Sequence, residues 1–208
     1  MRKTNSKRVA FLTILLAVIL VGNLYPHTPS PTPPLTAASS PDSSIVVPEA
    51  KTEAPPATTD FPNYHPLVVH FPIVLLLLAA VFQILSLFVY RKEFGLAGLI
   101  LLFLGVIAIW LASNVFHAHA MNLPERAINV FEEHELMADY TWWISVAALI
   151  AKTASHFVLK RKLWSEAVVV ALLIGASITV SIAGHHGAQL VHIEGVGPQG
   201  KYLESHQH

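Results

Sequence analysis

Four long apolar segments dominate the chain from residue 66 onward. They cover residues 66–90, 94–120, 141–159 and 163–184. A helix of about 20 apolar residues spans the hydrocarbon core of a membrane, and each segment is long enough or nearly so. The short links at 91–93 and 160–162 require the neighbouring helices to be antiparallel. The pattern therefore predicts an all-α membrane protein, an antiparallel up-down four-helix transmembrane bundle.

A further apolar run covers residues 9–21, directly after Arg2, Lys3, Lys7 and Arg8. A basic stretch followed by an apolar stretch is typical of an export signal. No clear small-residue cleavage site follows, which favours an uncleaved anchor helix and leaves removal of a signal peptide open. We predict a signal peptide or signal anchor over residues 1–25.

Proline is concentrated between Pro26 and Asn63, which hold ten of the 14 prolines together with many Ser, Thr and Ala residues. Such a segment cannot bury enough apolar surface to offset the entropy of ordering it. We predict an exported, disordered tether over 26–63, a four-helix membrane domain over 64–192 and an exported tail over 193–208.

Basic residues predict the orientation of the bundle. Nine of the 13 Lys and Arg residues precede the first apolar run or lie in the links at 91–93 and 160–162. Because cytoplasmic loops are enriched in Lys and Arg, the tether, the 121–140 loop and the C-terminus should lie on the outer side of the membrane.

Composition excludes several classes of protein. Charged residues make up 12% of the chain and hydrophobic residues 53%, which fits a membrane protein, and the formal net charge of zero gives no sign of nucleic-acid binding. The absence of cysteine excludes disulfides, cysteine metal sites and covalent haem attachment. No hydrolase triad or phosphate-binding loop is present, so no catalytic residue is predicted.

Histidine is unusually frequent, with 12 residues, and the predicted topology places all of them except His156 on the outer half. Helical phase selects among them, because side chains seven or eleven positions apart share a stripe. His119 lies on the same stripe as the small residues Gly98, Gly105 and Ala112, and small residues mark the packed faces of membrane helices. His119 should therefore face the bundle, whereas His117 should not. His134 joins an inward stripe if residues 127–139 continue the third helix, and His186 lies on the polar side of the fourth.

Imidazoles on facing helices suit a small set of chemistries. A haem b needs two axial imidazoles in an apolar pocket, and copper, zinc or non-haem iron also bind imidazole together with carboxylate or Met. Glu132, Glu133 and Glu135 supply carboxylates beside His134. His117, His119 and Met121 instead indicate copper handling. A structural or assembly subunit, whose histidines bind nothing, is the alternative from another class.

Three motifs resemble a bacterial four-helix membrane family known only as domain of unknown function twenty-two thirty-one. They are Asn63-Tyr64-His65-Pro66-Leu67-Val68-Val69-His70-Phe71-Pro72-Ile73, the pair His134-Glu135, and Gly184-His185-His186-Gly187-Ala188-Gln189-Leu190-Val191-His192. The resemblance covers residues 62–203. It implies redox work in a bacterial inner membrane beside a c-type cytochrome or another redox subunit.

By position, the resemblance implies His65, His70, His134, His185 and His192 as ligands. The resemblance favours His185, whereas helical phase favours His186. Because the fourth helix is predicted to end at Gly184, phase is least reliable there, and we favour His185. With His119 from phase and Glu135 as a further metal ligand, we predict a haem b or metal site near the outer face. The expected function is membrane electron transfer.

Lys152 lies unusually deep in the third helix. A charged residue near the bilayer centre costs about 2.5–3.5 kcal/mol on insertion scales unless it is paired or reaches the surface. Gln83 and Glu166 are possible partners. The alternatives are that Lys152 extends to the inner surface, or that it belongs to a proton path.

Overall fold

The computed structural model describes residues 64–117, 119–197 and 202. Three predicted segments lie outside the described residues. They are the signal over 1–25, the tether over 26–63 and, apart from residue 202, the tail beyond residue 197. The described part of the chain is all-helical, as the sequence predicts. Its helices are α1 (His65–Val68), α2 (His70–Phe88), α3 (Arg91–Trp110), the π-helical turn Leu111–Val115, α4 (Glu125–Phe157) and α5 (Leu163–His192).

Within residues 64–117, 119–197 and 202, three helical stretches are long and apolar enough to cross a membrane. They are His65–Phe88, Arg91–Val115 and Leu163–His192, with mean hydropathies of 2.6, 2.6 and 2.3. By the same measure α4 does not qualify, because its N-terminal half carries acidic residues and its C-terminal half contains Lys152 and His156. Nonetheless α4 buries a face that includes Val146 and Leu149.

The four long helices form a ring in which each one packs against two neighbours. Helix α2 packs against α3 and α5, and α4 packs against α3 and α5. Their common core includes Leu76, Leu102, Leu149 and Leu173, each at most 1% exposed. A Cβ atom added at Gly105 would lie 3.1 Å from Cδ2 of Leu76, so this glycine permits the close packing of α2 on α3.

A buried polar cluster holds together the helix ends that lie away from most histidines. Glu166 of α5 is fully buried, and its Oε2 accepts hydrogen bonds from Gln83 Nε2 of α2 at 2.7 Å and Lys152 Nζ of α4 at 3.0 Å. Its Oε1 accepts from Ser155 Oγ at 2.7 Å and from Arg161 Nε at 3.3 Å. Lys152 is only 1% exposed, so it does not extend to the surface.

Candidate cofactor site

A cavity of about 360 Å³ lies at the other end of the helices. Its walls come from every helix, from the π-helical turn and from Val196 and Gly197 after α5. Most lining residues are apolar, among them Ile73, Ile109 and Phe131. The polar lining residues are His65, Ser113, His117, His134 and Thr141, with His70 and His192 also contributing.

His65 is held by two backbone carbonyls of another element. Its Nδ1 lies 3.2 Å from the carbonyl oxygens of both Ala112 and Phe116. A carbonyl oxygen only accepts hydrogen bonds, so Nδ1 carries the proton and Nε2 carries the lone pair. A metal-binding histidine commonly has this arrangement, with its second nitrogen donating to a carbonyl or carboxylate.

The π-helical turn explains why the Ala112 carbonyl can accept this bond. In an α-helix the N–H of Phe116 would bond to Ala112, four residues earlier. Here it bonds at 3.0 Å to the carbonyl of Leu111, five residues earlier. Helical turns of this kind are rare and are often found at functional sites.

His134 is held in the same way by α5. Its Nδ1–H donates to the carbonyl of Ala183 at 2.8 Å, which again places the lone pair on Nε2. The inward stripe of His134 depends on residues 127–139 continuing the third predicted helix, and this condition is met because α4 runs from Glu125 to Phe157.

The two imidazoles held by carbonyls are close neighbours. The ring centroids of His65 and His134 are 6.4 Å apart, and the ring planes are inclined by 77°. With metal–imidazole bonds of about 2 Å, two imidazoles that bind one ion from opposite sides have centroids roughly 6 Å apart. The spacing between these two rings therefore suits a pair of ligands to one metal centre.

The orientations of His119 and His117 are the reverse of those predicted. His119 is exposed, whereas the side chain of His117 is 19% exposed and lines the cavity, with its ring centroid 6.0 Å from that of His65. The prediction that His119 faces the bundle and His117 does not is wrong. It assumed an unbroken α-helix, but the π-helical turn changes the phase and the helical stretch ends at Val115.

The fourth long helix does not end at Gly184 but continues to His192, so the prediction of its end is wrong. Because the helix is continuous, phase applies to both neighbouring histidines. His185 is exposed, whereas the side chain of His186 is half-buried, with Nε2 3.3 Å from Oε2 of Glu133. Neither of the two histidines is among the residues that line the cavity.

The remaining predicted site residues lie at the edge of the site. His70 and His192 line the cavity but are mostly exposed, and His70 donates from Nδ1 to the Pro66 carbonyl at 2.6 Å. Oε1 of Glu135 lies 3.7 Å from Nε2 of His117. Among the residues that the structure describes, no group of three or more His, Cys, Asp or Glu side chains has the spacing of a metal site.

The helices and the cavity define a helical membrane protein with histidines around a cavity at one end. The profile of the family described as "Predicted membrane protein (DUF2231)" matches residues 62–200, more than half of the chain, and the chain belongs to this family. This confirms the resemblance drawn from the sequence motifs. No curated protein and no solved structure gives a significant match.

Proposed function

We propose that this protein binds haem b in the cavity, where His65 and His134 would hold the iron, and works in membrane electron transfer. One observation carries the proposal. Both imidazoles donate from Nδ1 to a backbone carbonyl of another helix or turn, which leaves Nε2 as the ligating atom of each ring. Haem b held by two imidazoles supplies one-electron redox chemistry.

The size and lining of the cavity favour haem over a bare ion. At about 360 Å³ the cavity lies within the roughly 300–1,000 Å³ typical of sites for organic ligands. Apolar side chains form most of its wall, as a porphyrin ring requires and a hydrated ion does not. Copper or another metal ion bound by histidine is the competing ligand, with His117, His119 and Met121 as the copper alternative.

The proposal includes a topology. Four antiparallel membrane spans, with α4 among them, would follow a signal peptide or signal anchor and the proline-rich tether. Basic residues near the polar cluster support a cytoplasmic position for that end, because cytoplasmic loops are enriched in Lys and Arg. The cavity and the tail would then lie on the periplasmic side of a bacterial inner membrane, where a c-type cytochrome or another redox subunit would exchange electrons with the site.

The test is a spectrum of the full-length protein purified in detergent after expression with a haem supply. A Soret band, sharp α and β bands on reduction, and about one haem per chain are expected for two imidazole ligands. His65→Ala and His134→Ala should each lose the low-spin spectrum or most of the haem. His119→Ala and His185→Ala are matched controls, because both side chains are exposed, and should keep the wild-type spectrum.

Other results would contradict the proposal in different ways. A stoichiometric metal without a haem spectrum would favour the metal-ion alternative. A protein with neither haem nor metal would favour a structural or assembly subunit without a cofactor. An unchanged haem spectrum in both His65→Ala and His134→Ala would reject these two residues as ligands.

A further inference from the structure

Gly187 lies where α5 approaches the ring of His134. A Cβ atom added to this glycine would be 3.3 Å from Cε1 and 3.5 Å from Nδ1 of that imidazole. The first distance is shorter than an ordinary van der Waals contact. A methyl group at position 187 would therefore force the imidazole to move by a few tenths of an ångström.

The hydrogen bond of His134 limits where its ring can move. Its Nδ1–H donates at 2.8 Å to the carbonyl of Ala183, which lies one helical turn before Gly187 on the same face of α5. A shift away from position 187 would lengthen or bend this bond. The carbonyl of Ala183 and the absence of a side chain at Gly187 together fix the direction in which Nε2 of His134 points.

We infer that Gly187 is a positioning residue for His134, whose imidazole lines the cavity and would bind the haem iron through Nε2. The inference rests on the proposed haem site. Glycine within a helix is less favourable than alanine, and the close approach of the His134 ring gives the glycine at this position of α5 a packing role. Gly187 does not touch the metal centre itself but acts through the imidazole.

Gly187→Ala in the full-length protein tests the inference, and Gly175→Ala is its matched control. Both positions lie in α5, and the nearest atom to a Cβ at Gly175 would be Cγ2 of Ile144 at an ordinary 3.7 Å. Gly187→Ala should still bind haem but show a partly high-spin spectrum and at least fivefold faster haem loss. Gly175→Ala should match the wild type.

A double-mutant cycle separates positioning from a general structural effect. Because His134→Ala is expected to lose most of its haem during purification, every variant in the cycle is first made haem-free and loaded with excess haem. In the His134→Ala background the ring is absent, so Gly187→Ala should no longer change the rate of haem loss to apomyoglobin. Equal acceleration in both backgrounds would overturn the inference, as would a Gly187→Ala spectrum and rate identical to those of Gly175→Ala. In either case the haem site itself would stand.

Failure of the haem site gives a different result. A wild-type protein that binds no haem would reject the proposed function and the role of Gly187 with it. Misfolding is checked by size-exclusion chromatography and thermal unfolding of the haem-free variants. Alanine should raise helix stability at both glycines, so a folding defect confined to Gly187→Ala would mean a packing role beyond the His134 ring and would also overturn the inference.

Discussion

At the scale of single residues, Glu166 has the most complete set of partners in the polar cluster. Two cationic and two neutral side chains donate to its two carboxylate oxygens, from α2, α4 and the link before α5. A carboxylate occupied in this way is a poor proton acceptor. The geometry therefore favours a structural role for Lys152 and Glu166 over the proton path considered from the sequence.

Glu166→Gln removes the charge that Lys152 and Arg161 share. Breaking a buried ion pair on one side leaves an uncompensated charge, which typically costs about 3–5 kcal/mol. We expect a loss of that order in the free energy of unfolding, measured by SDS titration in mixed micelles. The exposed Glu93→Gln is the control and should change stability by less than about 0.5 kcal/mol. A loss below about 1 kcal/mol for Glu166→Gln would contradict the structural role.

Part of this cluster could be predicted from the sequence. A charge so deep in an apolar segment needs a partner, and Glu166 was one of two candidates named for Lys152. The hydrogen bond between them confirms that pairing. The second candidate, Gln83, instead bonds to Glu166. The role of Arg161 was not predicted, because its approach depends on left-handed backbone at Lys160 and Arg161.

At the scale of elements, the sequence predicts which segments are helical better than where they end. The pattern of apolar residues locates the four long helices, but α4 begins at Glu125, well before the predicted residue 141, and α5 extends past Gly184 to His192. Both extensions lie in polar sequence, where apolar periodicity is weak. The π-helical turn leaves no recognisable pattern, so the positions of His117 and His119 could not be predicted.

Deleting Asn114 should convert the π-helical turn into an α-helical one, because such a turn holds one extra residue. The next backbone N–H would then compete with His65 for the Ala112 carbonyl. We expect haem affinity to fall about fivefold, as for the loss of one net hydrogen bond of about 1 kcal/mol. Affinity is measured by haem transfer to apomyoglobin.

Asn114→Ala is the control for that deletion. It removes only an exposed side chain that donates to the Trp110 carbonyl at 3.0 Å, and it keeps the length of the turn. Its haem affinity should equal that of the wild type. Equal affinity in the deletion variant would show that the turn does not position His65.

At the scale of the whole molecule, charge is divided between the two ends. Basic residues lie near the polar cluster, namely Arg91, Lys92, Lys160, Arg161 and Lys162. Acidic residues lie near the cavity, namely Glu125, Glu132, Glu133, Glu135, Asp139 and Glu194. Arg126 lies among the acidic residues and pairs with Glu194 at 3.3 Å. The basic residues at one end are what the proposed orientation across a membrane requires, because cytoplasmic loops are enriched in Lys and Arg.

Single cysteines test that orientation cleanly, because the native chain has none. In spheroplasts, a membrane-impermeant maleimide should label Glu132→Cys, which replaces an exposed residue near the cavity. Lys92→Cys, at the exposed start of α3, should be labelled only after permeabilisation. The unmodified chain is the blank. Labelling of both cysteines in intact spheroplasts would contradict the proposed topology.

The pairing of Lys152 with Glu166 also bears on how the chain is made. In the proposed topology Lys152 leaves the ribosome 14 residues before its partner and meets the translocon with its charge uncompensated. Helix α4, which is not among the helices apolar enough to span by themselves, would insert stably only when α5 arrives beside it. The two helices would thus enter the bilayer as one hairpin, and a chain truncated between them would be a substrate for membrane quality control.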